Sequence, residues 1–481
     1  MLALYLHIPF CLSKCHYCAF NSQPLPPGGG GEALVQDYLE ALRRELQLAA
    51  QNQTSGTPHS SSASGLRPAS RMRSTGASGL TPGLKECGGQ GQTEGLAAEE
   101  REGIGAATAS QSPATDDRRP TESLRSIYFG GGTPTILDPS CLCLLLTLSK
   151  RFFNWDQAIE ITVEANPATV TRAGLAELRR AGVNRLSLGA QSFAAPELQL
   201  LGRLHGVADI EAACRDARTA GFTNLSLDLI YGLPGQTLDG WRENLQRALD
   251  LRPEHLSAYG LKLEEGTLLA EQVAAGRLPE RDEDEDVAMW YETQRLTSAA
   301  GLERYEISNY ARPGRASRHN LAYWLNQPYL ALGAGASGQV RGGRREVRGE
   351  RWSSASGLTP GPKECGVHHL PHPTSQLVRY TNYENVTEYM ASVARGELPR
   401  AWEENQTPEQ ERADTVMMGL RLTGGLDRLA FQKRFGRPFE FFYGSQLAIM
   451  KRDGLMEESE RAVFLTERGL LLSNWVLAEL I

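Results

Sequence analysis

Cys11, Cys15 and Cys18 stand close together in the run HIPFCLSKCHYCAF. This CxxxCxxC spacing lets three thiolates hold three corners of a cubane 4Fe-4S cluster while the fourth iron keeps no protein ligand. An iron with an open position can bind and activate a small molecule, as a catalytic zinc does through its free site. Two other readings compete. A disulfide would leave one thiol of the trio over. A zinc site would need a fourth ligand, and His16, which lies nearest, is wedged inside the motif. The spacing favours the cluster.

Further along, Gly130-Gly131-Gly132-Thr133-Pro134 follows a strand-like segment directly. Glycines there let backbone groups approach a ligand with no Cβ in the way, although a tight turn would ask for the same residues. Glu164, Gln191 and Asp228 are each read at the end of a strand, and Arg203 on the helix following Gln191. Singly, each reads as a solvated strand end. Together, they supply carboxylates for hydroxyls or an ammonium and a guanidinium for a carboxylate.

The elements that must position these groups alternate between strand and helix. LALYLHIPF is read as a strand running into the cysteine loop, and 32–50 as a helix with Leu34, Tyr38, Leu39 and Leu42 on one face. SIYFGGG (126–132), EITVEAN (160–166), RLSLGAQSF (185–193), NLSLDLIYGLPG (224–235) and HLSAYGLKL (255–263) are further strands. Asp138-Pro139 and Thr171 start the intervening helices. Repeated βα units imply parallel strands with right-handed crossovers, hence an α/β fold with a partial (β/α)6 barrel whose chemistry sits at the C-terminal strand ends. From about residue 382 the pattern turns helical, so three regions are expected: a barrel domain over 1–340, an insert or linker over 341–381, and a small, mainly helical, winged-helix-like domain over 382–481.

Two stretches interrupt this pattern. Residues 54–122 are rich in Ser, Gly, Thr, Ala and Pro and lack the apolar surface to order themselves. They contain ASGLTPGLKECG (77–88), which returns as ASGLTPGPKECG (355–366), so both inserts are read as copies of one element carried in surface loops. Cys87 and Cys365 recur with it and are not expected to be ligands. His368, His369 and His372 form a short tract in the second insert, and RGGRREVRGER (341–351) reads as a solvated loop. Cys141, Cys143 and Cys214 lie on apolar helical faces and are assigned to packing; His205, at a helix end, is read as structural.

Composition bounds the rest. The 481 residues, 41% hydrophobic, suffice for two domains, and a net charge of −7 argues against a nucleic-acid groove. The longest apolar run, CLCLLLTL (141–148), is far too short for a transmembrane segment. The apolar opening lacks a basic leader region and a cleavage site, so a reducing, cytoplasmic location is expected.

YLHIPFCLSKCHYCAF, YFGGGTPTIL, VEANP, RLSLGAQSF, LLGRLH, DLIYGLPGQT and HNLAYW together resemble the radical S-adenosylmethionine (radical SAM) superfamily, and within it the oxygen-independent coproporphyrinogen III oxidase family. The resemblance covers nearly all of the chain outside the inserts. It implies that Cys11, Cys15 and Cys18 ligate a 4Fe-4S cluster whose open iron chelates S-adenosyl-L-methionine. It further implies that Tyr5, Gly131 and Glu164 contact that molecule, and that Gly132, Thr133, Gln191, Arg203 and Asp228 match positions holding a second one in the oxidase. The dehydrogenase branch adds a fourth cysteine two residues on, where this chain has Phe20, and carries an N-terminal extension where this chain begins at its first strand. Both departures, with HNLAYW, resemble the HemW heme-chaperone subgroup, which binds heme and passes it to acceptor proteins. His319 would then be a candidate heme ligand. Where that subgroup usually reads GAH, this chain has Gly335-Ala336-Ser337. Propionate decarboxylation of coproporphyrinogen III, or radical chemistry on another substrate, stand as the alternatives.

Overall fold

A computed structural model describes residues 2–26, 29–55, 120, 122–342 and 377–481. The inserted repeats, Cys87, Cys365, His368, His369, His372 and most of the basic run lie outside the described residues. One large sheet dominates. Its strands in chain order are β1 (Leu2–Ile8), β2 (Ser123–Gly131), β3 (Asn154–Ala165), β4 (Arg185–Gln191), β5 (Leu225–Tyr231), β6 (His255–Gly260), β7 (Glu303–Arg304), β8 (Asn309–Ala311), β9 (Tyr329–Leu332), β10 (Ser337–Arg341), β11 (Leu377–Asn382) and β12 (Arg400–Asn405). The spatial order is β12-β11-β10-β9-β1-β2-β3-β4-β5-β6-β8-β7. Strands β9, β1 and β2–β6 pair in parallel, while both ends of the sheet are antiparallel. The fold is the expected α/β one with a partial parallel barrel and a helical C-terminal part.

Successive side chains of a strand point to opposite faces, and here the two faces differ completely. Leu4, Leu6, Ile127, Phe129, Ile161, Val163, Leu186, Leu188, Leu227, Leu229 and Leu256 are buried in one apolar core beneath the helices. Those helices include α1 (Gly29–Ser55), α2 (Pro139–Phe152), α3 (Arg172–Arg180), α4 (Val207–Thr219) and α5 (Leu238–Asp250). The alternate positions are polar: Tyr5 and His7, Ser126 and Tyr128, Glu160 and Glu164, Arg185 and Ser187, Ser226 and Asp228, His255 and Ser257. A barrel filled only for stability would pack branched apolar side chains there. Burying so many polar groups makes sense only if they are hydrogen bonded or face a ligand.

The sheet extends further than the alternating pattern suggested. Residues 400–405, within the region expected to be helical, form β12, and β11 pairs with β10. Helices α6 (Glu283–Ala299) and α7 (Arg318–Trp324) precede these strands, and α8 (Pro408–Gly419), α9 (Arg428–Phe435), α10 (Phe439–Arg452) and α11 (Ser473–Leu480) follow them. Helices α8–α11 close over a three-stranded sheet through a second core that includes Val416, Phe431, Phe439, Leu447, Val463 and Val476. Trp290 of α6 joins that core, with the Arg304 guanidinium 4.3 Å from its ring.

Glu45 of α1 ties the N-terminal half to the end of the sheet. Only 1% exposed, its carboxylate accepts hydrogen bonds from Gly333 N (2.8 Å), Asn382 Nδ2 (2.7 Å) and Tyr389 Oη (2.6 Å). Gly333 is at φ +106°, and a Cβ there would lie 2.6 Å from both His7 O and Tyr38 Oη, so only glycine fits. Burial pushes the Glu45 carboxyl from 4.5 up to about 7, against these hydrogen bonds and Arg400. Between those two pH values the native chain retains a proton that the unfolded chain has lost, so this group's contribution to stability falls as pH rises through the window. The wild-type stability minus that of Glu45→Gln, from denaturant unfolding, is expected to decline by on the order of a few kcal/mol from pH 4.5 to 7.5 and then level off. A flat difference would show that the carboxyl keeps an ordinary pKa.

Candidate functional site

The C-terminal ends of β2–β6 and the cysteine loop enclose a cavity of about 410 Å³. Ten of the twelve residues singled out from the sequence line it: Cys11, Cys15, Cys18, Gly131, Gly132, Thr133, Glu164, Gln191, Arg203 and Asp228. Tyr5 and His319 do not.

Backbone bonds on both sides hold the cysteine loop in place. Gly132 N donates to Ile8 O (2.8 Å) and Thr133 N to Phe10 O (2.8 Å), joining the GGGTP turn to the loop's start. A Cβ on Gly132 would sit 2.5 Å from Phe10 O and 3.0 Å from Cys11 Sγ, which explains the glycine. On the far side, His16 N donates to Leu201 O (3.1 Å) and Leu269 N to His16 O (2.9 Å). The His16 ring is bonded through Nδ1 to Leu200 O (2.9 Å), so it serves the loop's attachment. At the loop's exit, Asn21 Nδ2 donates to Ala334 O (3.2 Å) and Glu384 O (3.1 Å), and His7 Nε2 is bonded to Asn21 O (2.9 Å).

Carboxylates form the inner wall. Glu164 accepts from Tyr128 Oη (2.7 Å) and Gly131 N (3.2 Å), and burial pushes its carboxyl up to about 7. Asp228 accepts from Ser187 Oγ (3.0 Å) and Ser226 Oγ (3.2 Å), and burial raises it as well. Arg185, 2% exposed, reaches the same wall, its charge favoured by Glu160, Tyr128, Tyr305 and Asp228 against the penalty of burial. Its Nε has no hydrogen-bond partner among the described residues. Arg203 lies in the loop after the helix Ala195–Leu200, not on that helix as expected; it donates to Cys15 Sγ (3.3 Å) and Gly189 O (3.1 Å), and its Nε likewise has no partner among the described residues. Gln191 is held at φ +66° where β4 slips register against β5. A non-glycine residue with positive φ beside a bulge is stored strain of the kind found at binding sites, and here it turns the amide to the cavity.

His319 is embedded below this level. Its ring nitrogens are bonded to Ser126 Oγ (2.9 Å) and Tyr323 Oη (2.8 Å), it stacks on Tyr128 with centroids 4.9 Å apart, and it is 1% exposed. Burial, with Arg185 nearby, holds its pKa down at about 3, so it is neutral. Tyr5 also stacks on Tyr128, with its ring centroid 6.3 Å from that of His319, and bonds to His7 Nδ1 (3.0 Å). Ser337 pairs with Thr381 Oγ1 (2.9 Å) away from the cavity. His205 is tied to Asn166 Oδ1 (3.0 Å) and Ala190 O (3.2 Å), the structural role expected of it.

Cys11, Cys15 and Cys18 are free, half-buried thiols on one wall of the cavity. Among the described residues no three His, Cys, Asp or Glu side chains converge on a single ion position. A zinc site requires such convergence, whereas in a cubane each thiolate meets its own iron. Burial raises the Cys11 thiol, with small additions from Cys18 and Cys15, and bound iron would hold all three as thiolates. The donors therefore fit a 4Fe-4S cluster.

Residues 117–248 match the radical SAM superfamily and residues 406–472 the HemN C-terminal domain. The heme chaperone HemW of Bacillus subtilis (strain 168) is 30% identical over 482 residues, covering 99% of this chain and 98% of that protein. The chain belongs to the radical SAM superfamily, in its HemW-type branch. Another relative of this HemW-type chain, the radical S-adenosyl methionine domain-containing protein 1, mitochondrial, of Mus musculus, is 37% identical across 82% of this chain and 73% of its own length. Among solved structures, coproporphyrinogen III oxidase (HemN) from Escherichia coli superposes with a TM-score of 0.67 at 20% identity, over 100% of this chain and 89% of that one, and so shares the fold. Radical SAM membership implies a 4Fe-4S cluster and S-adenosylmethionine. No helix among the described residues is long and apolar enough to cross a membrane.

Sequence reasoning passed over Tyr128 and Arg185, which the structure places at the centre of the wall. Their signal was the polar half of each strand's alternation. Removing one member of a buried charge cluster costs about 3–5 kcal/mol because the partner charges remain. Arg185→Met is therefore expected to lower unfolding stability by about 3 kcal/mol or more, and Arg185→Lys by less, in chemical denaturation of the metal-free protein. Equal stability of Arg185→Met and wild type would show that the guanidinium is dispensable to the wall.

Proposed function

We propose that this HemW-type protein binds heme and hands it to an acceptor protein, carrying a 4Fe-4S cluster on Cys11, Cys15 and Cys18 with S-adenosylmethionine beside it. Held by Cys11, Cys15 and Cys18, a bound and reduced cluster would supply one electron for breaking a carbon–sulfur bond of the sulfonium, giving a thioether and a carbon radical. The residues of the chain bind and orient. Gly131 and Gly132 admit the ligand to the backbone, Thr133 and Gln191 offer hydrogen bonds, and Arg203 neutralises thiolate charge and receives a carboxylate. Glu164 and Asp228 accept from hydroxyls or an ammonium, with Tyr5 supporting Tyr128 behind them. A reducing interior compartment, the cytoplasm in the simplest case, suits the free thiols.

What carries the reading is the similarity to proteins named heme chaperones over essentially the full chain. The likeness to coproporphyrinogen oxidase extends to fold alone. Phe20 in place of a fourth cysteine points the same way. The test is anaerobic reconstitution followed by iron analysis, heme titration, and incubation of the reduced protein with S-adenosylmethionine and coproporphyrinogen III. Wild type should take up iron and bind heme, and serine at any one of the three cysteines should abolish most iron uptake. Protoporphyrinogen should not form; its appearance would replace the chaperone reading with the oxidase one.

A further inference from the structure

The cavity has a polar interior and an apolar rim. Leu12 (52% exposed), Phe20 (70%), Leu204 (62%) and Tyr259 (43%) all border it, although they come from three separate segments. Single exposed apolar side chains are ordinary, whereas their gathering around one opening marks a binding surface. The three segments are joined: the cysteine loop is hydrogen bonded to Leu201 just before Leu204 and to Leu269 beyond the end of β6. Lys14, from the cysteine loop, and Lys262, from the segment after β6, stand on the same rim. The Lys262 side chain is 80% exposed and, among the described residues, pairs with Glu264 at 2.7 Å, an exposed contact worth little and readily exchanged for another carboxylate.

We infer that this rim is a seat for a flat, apolar macrocycle bearing carboxylate arms: Leu12, Phe20, Leu204 and Tyr259 cover its face, and Lys14 and Lys262 hold its carboxylates. The inference rests on the heme reading above and says where that heme lies. A cavity of about 410 Å³ takes one ligand of ordinary small-molecule size, so a tetrapyrrole must lie across the mouth and not inside. No histidine lines the cavity among the described residues, and the thiolates there belong to the cluster. Recognition is therefore of the ring face and the propionates, not of the iron, and iron-free protoporphyrin should occupy the same seat.

The experiment uses the full-length, cluster-reconstituted protein and absorbance titrations with ferric heme, free-base protoporphyrin IX and protoporphyrin IX dimethyl ester. Heme and protoporphyrin IX are expected to bind within about threefold of each other, and the ester about tenfold more weakly, as rim charge pairs are lost. The double variant Lys14→Glu/Lys262→Glu should weaken both acids about tenfold. Tyr259→Ser and Leu204→Ser, which lie outside the cysteine loop, should weaken all three ligands while iron content stays at the wild-type level. Wild-type affinities in these variants, or tight heme binding with no binding of protoporphyrin IX, would overturn the seat while leaving the heme reading intact. Failure of wild type to bind either tetrapyrrole would overturn the heme reading itself.

Discussion

A single guanidinium organises the polar face of the sheet. Arg185 begins β4 and points among Glu160, Asp228, Tyr128 and Tyr305, with Glu164 just above. Without that charge, the carboxyls facing inward from β3 and β5 would have only hydroxyls and backbone amides to offset their removal from water. Burial already raises Asp228 and pushes Glu164 up to about 7, so Glu164 sits close to the point where it would protonate. A bound cation, whether an ammonium or a sulfonium, would favour the charged form of both. A positively charged ligand thus offsets part of the cost of burying these acids.

The cysteine loop is the other half of the site, and it depends on the ends of the chain as much as on the barrel. His7 at the end of β1 is bonded to Asn21 O; Tyr38 of α1 donates to His7 O (2.8 Å) and accepts from Ala334 N (3.0 Å); Glu45 anchors Gly333. Asn382 at the end of β11 and Tyr389 on the helix Val386–Ala394 that follows complete the same cluster. The loop is consequently gripped from beneath by residues more than 300 positions apart in the chain. Three thiolates held apart at fixed positions match a preformed cluster better than a site that wraps around one ion.

The strands and the cysteine trio were legible because their signals are local: a period of two, a fixed spacing, a glycine run. The short antiparallel strands β7, β8 and β12 were not. Two or three residues carry no periodicity, and RAWEEN has the charge of a loop; it is a strand because β11 pairs with it. Arg185 was overlooked because it opens RLSLGAQSF at a position that looks like a boundary, although the same alternation that buries Leu186 and Leu188 turns Arg185 and Ser187 to the opposite side. Gln191 was placed correctly at a strand end, yet its left-handed backbone comes from a register slip between β4 and β5 that no local pattern encodes. The motif HNLAYW drew attention to His319 for its chemistry, and its physical work lies partly elsewhere.

In the motif as folded, Ser317 caps α7, Glu160 accepts from the amides of Arg318 (3.0 Å) and His319 (3.1 Å), and the imidazole fastens Ser126 to Tyr323. Its ring also forms one side of the stack that holds Tyr128, whose hydroxyl positions Glu164. For His319 to reach an iron atom it would have to give up one of two short hydrogen bonds, leave that stack, and rise through the carboxylate wall. The same movement would release Tyr128 from behind Glu164, so heme ligation and the cavity's acid geometry would compete for one side chain. A macrocycle across the rim makes no such demand, because it leaves the histidine supporting the wall while the cavity below stays formed.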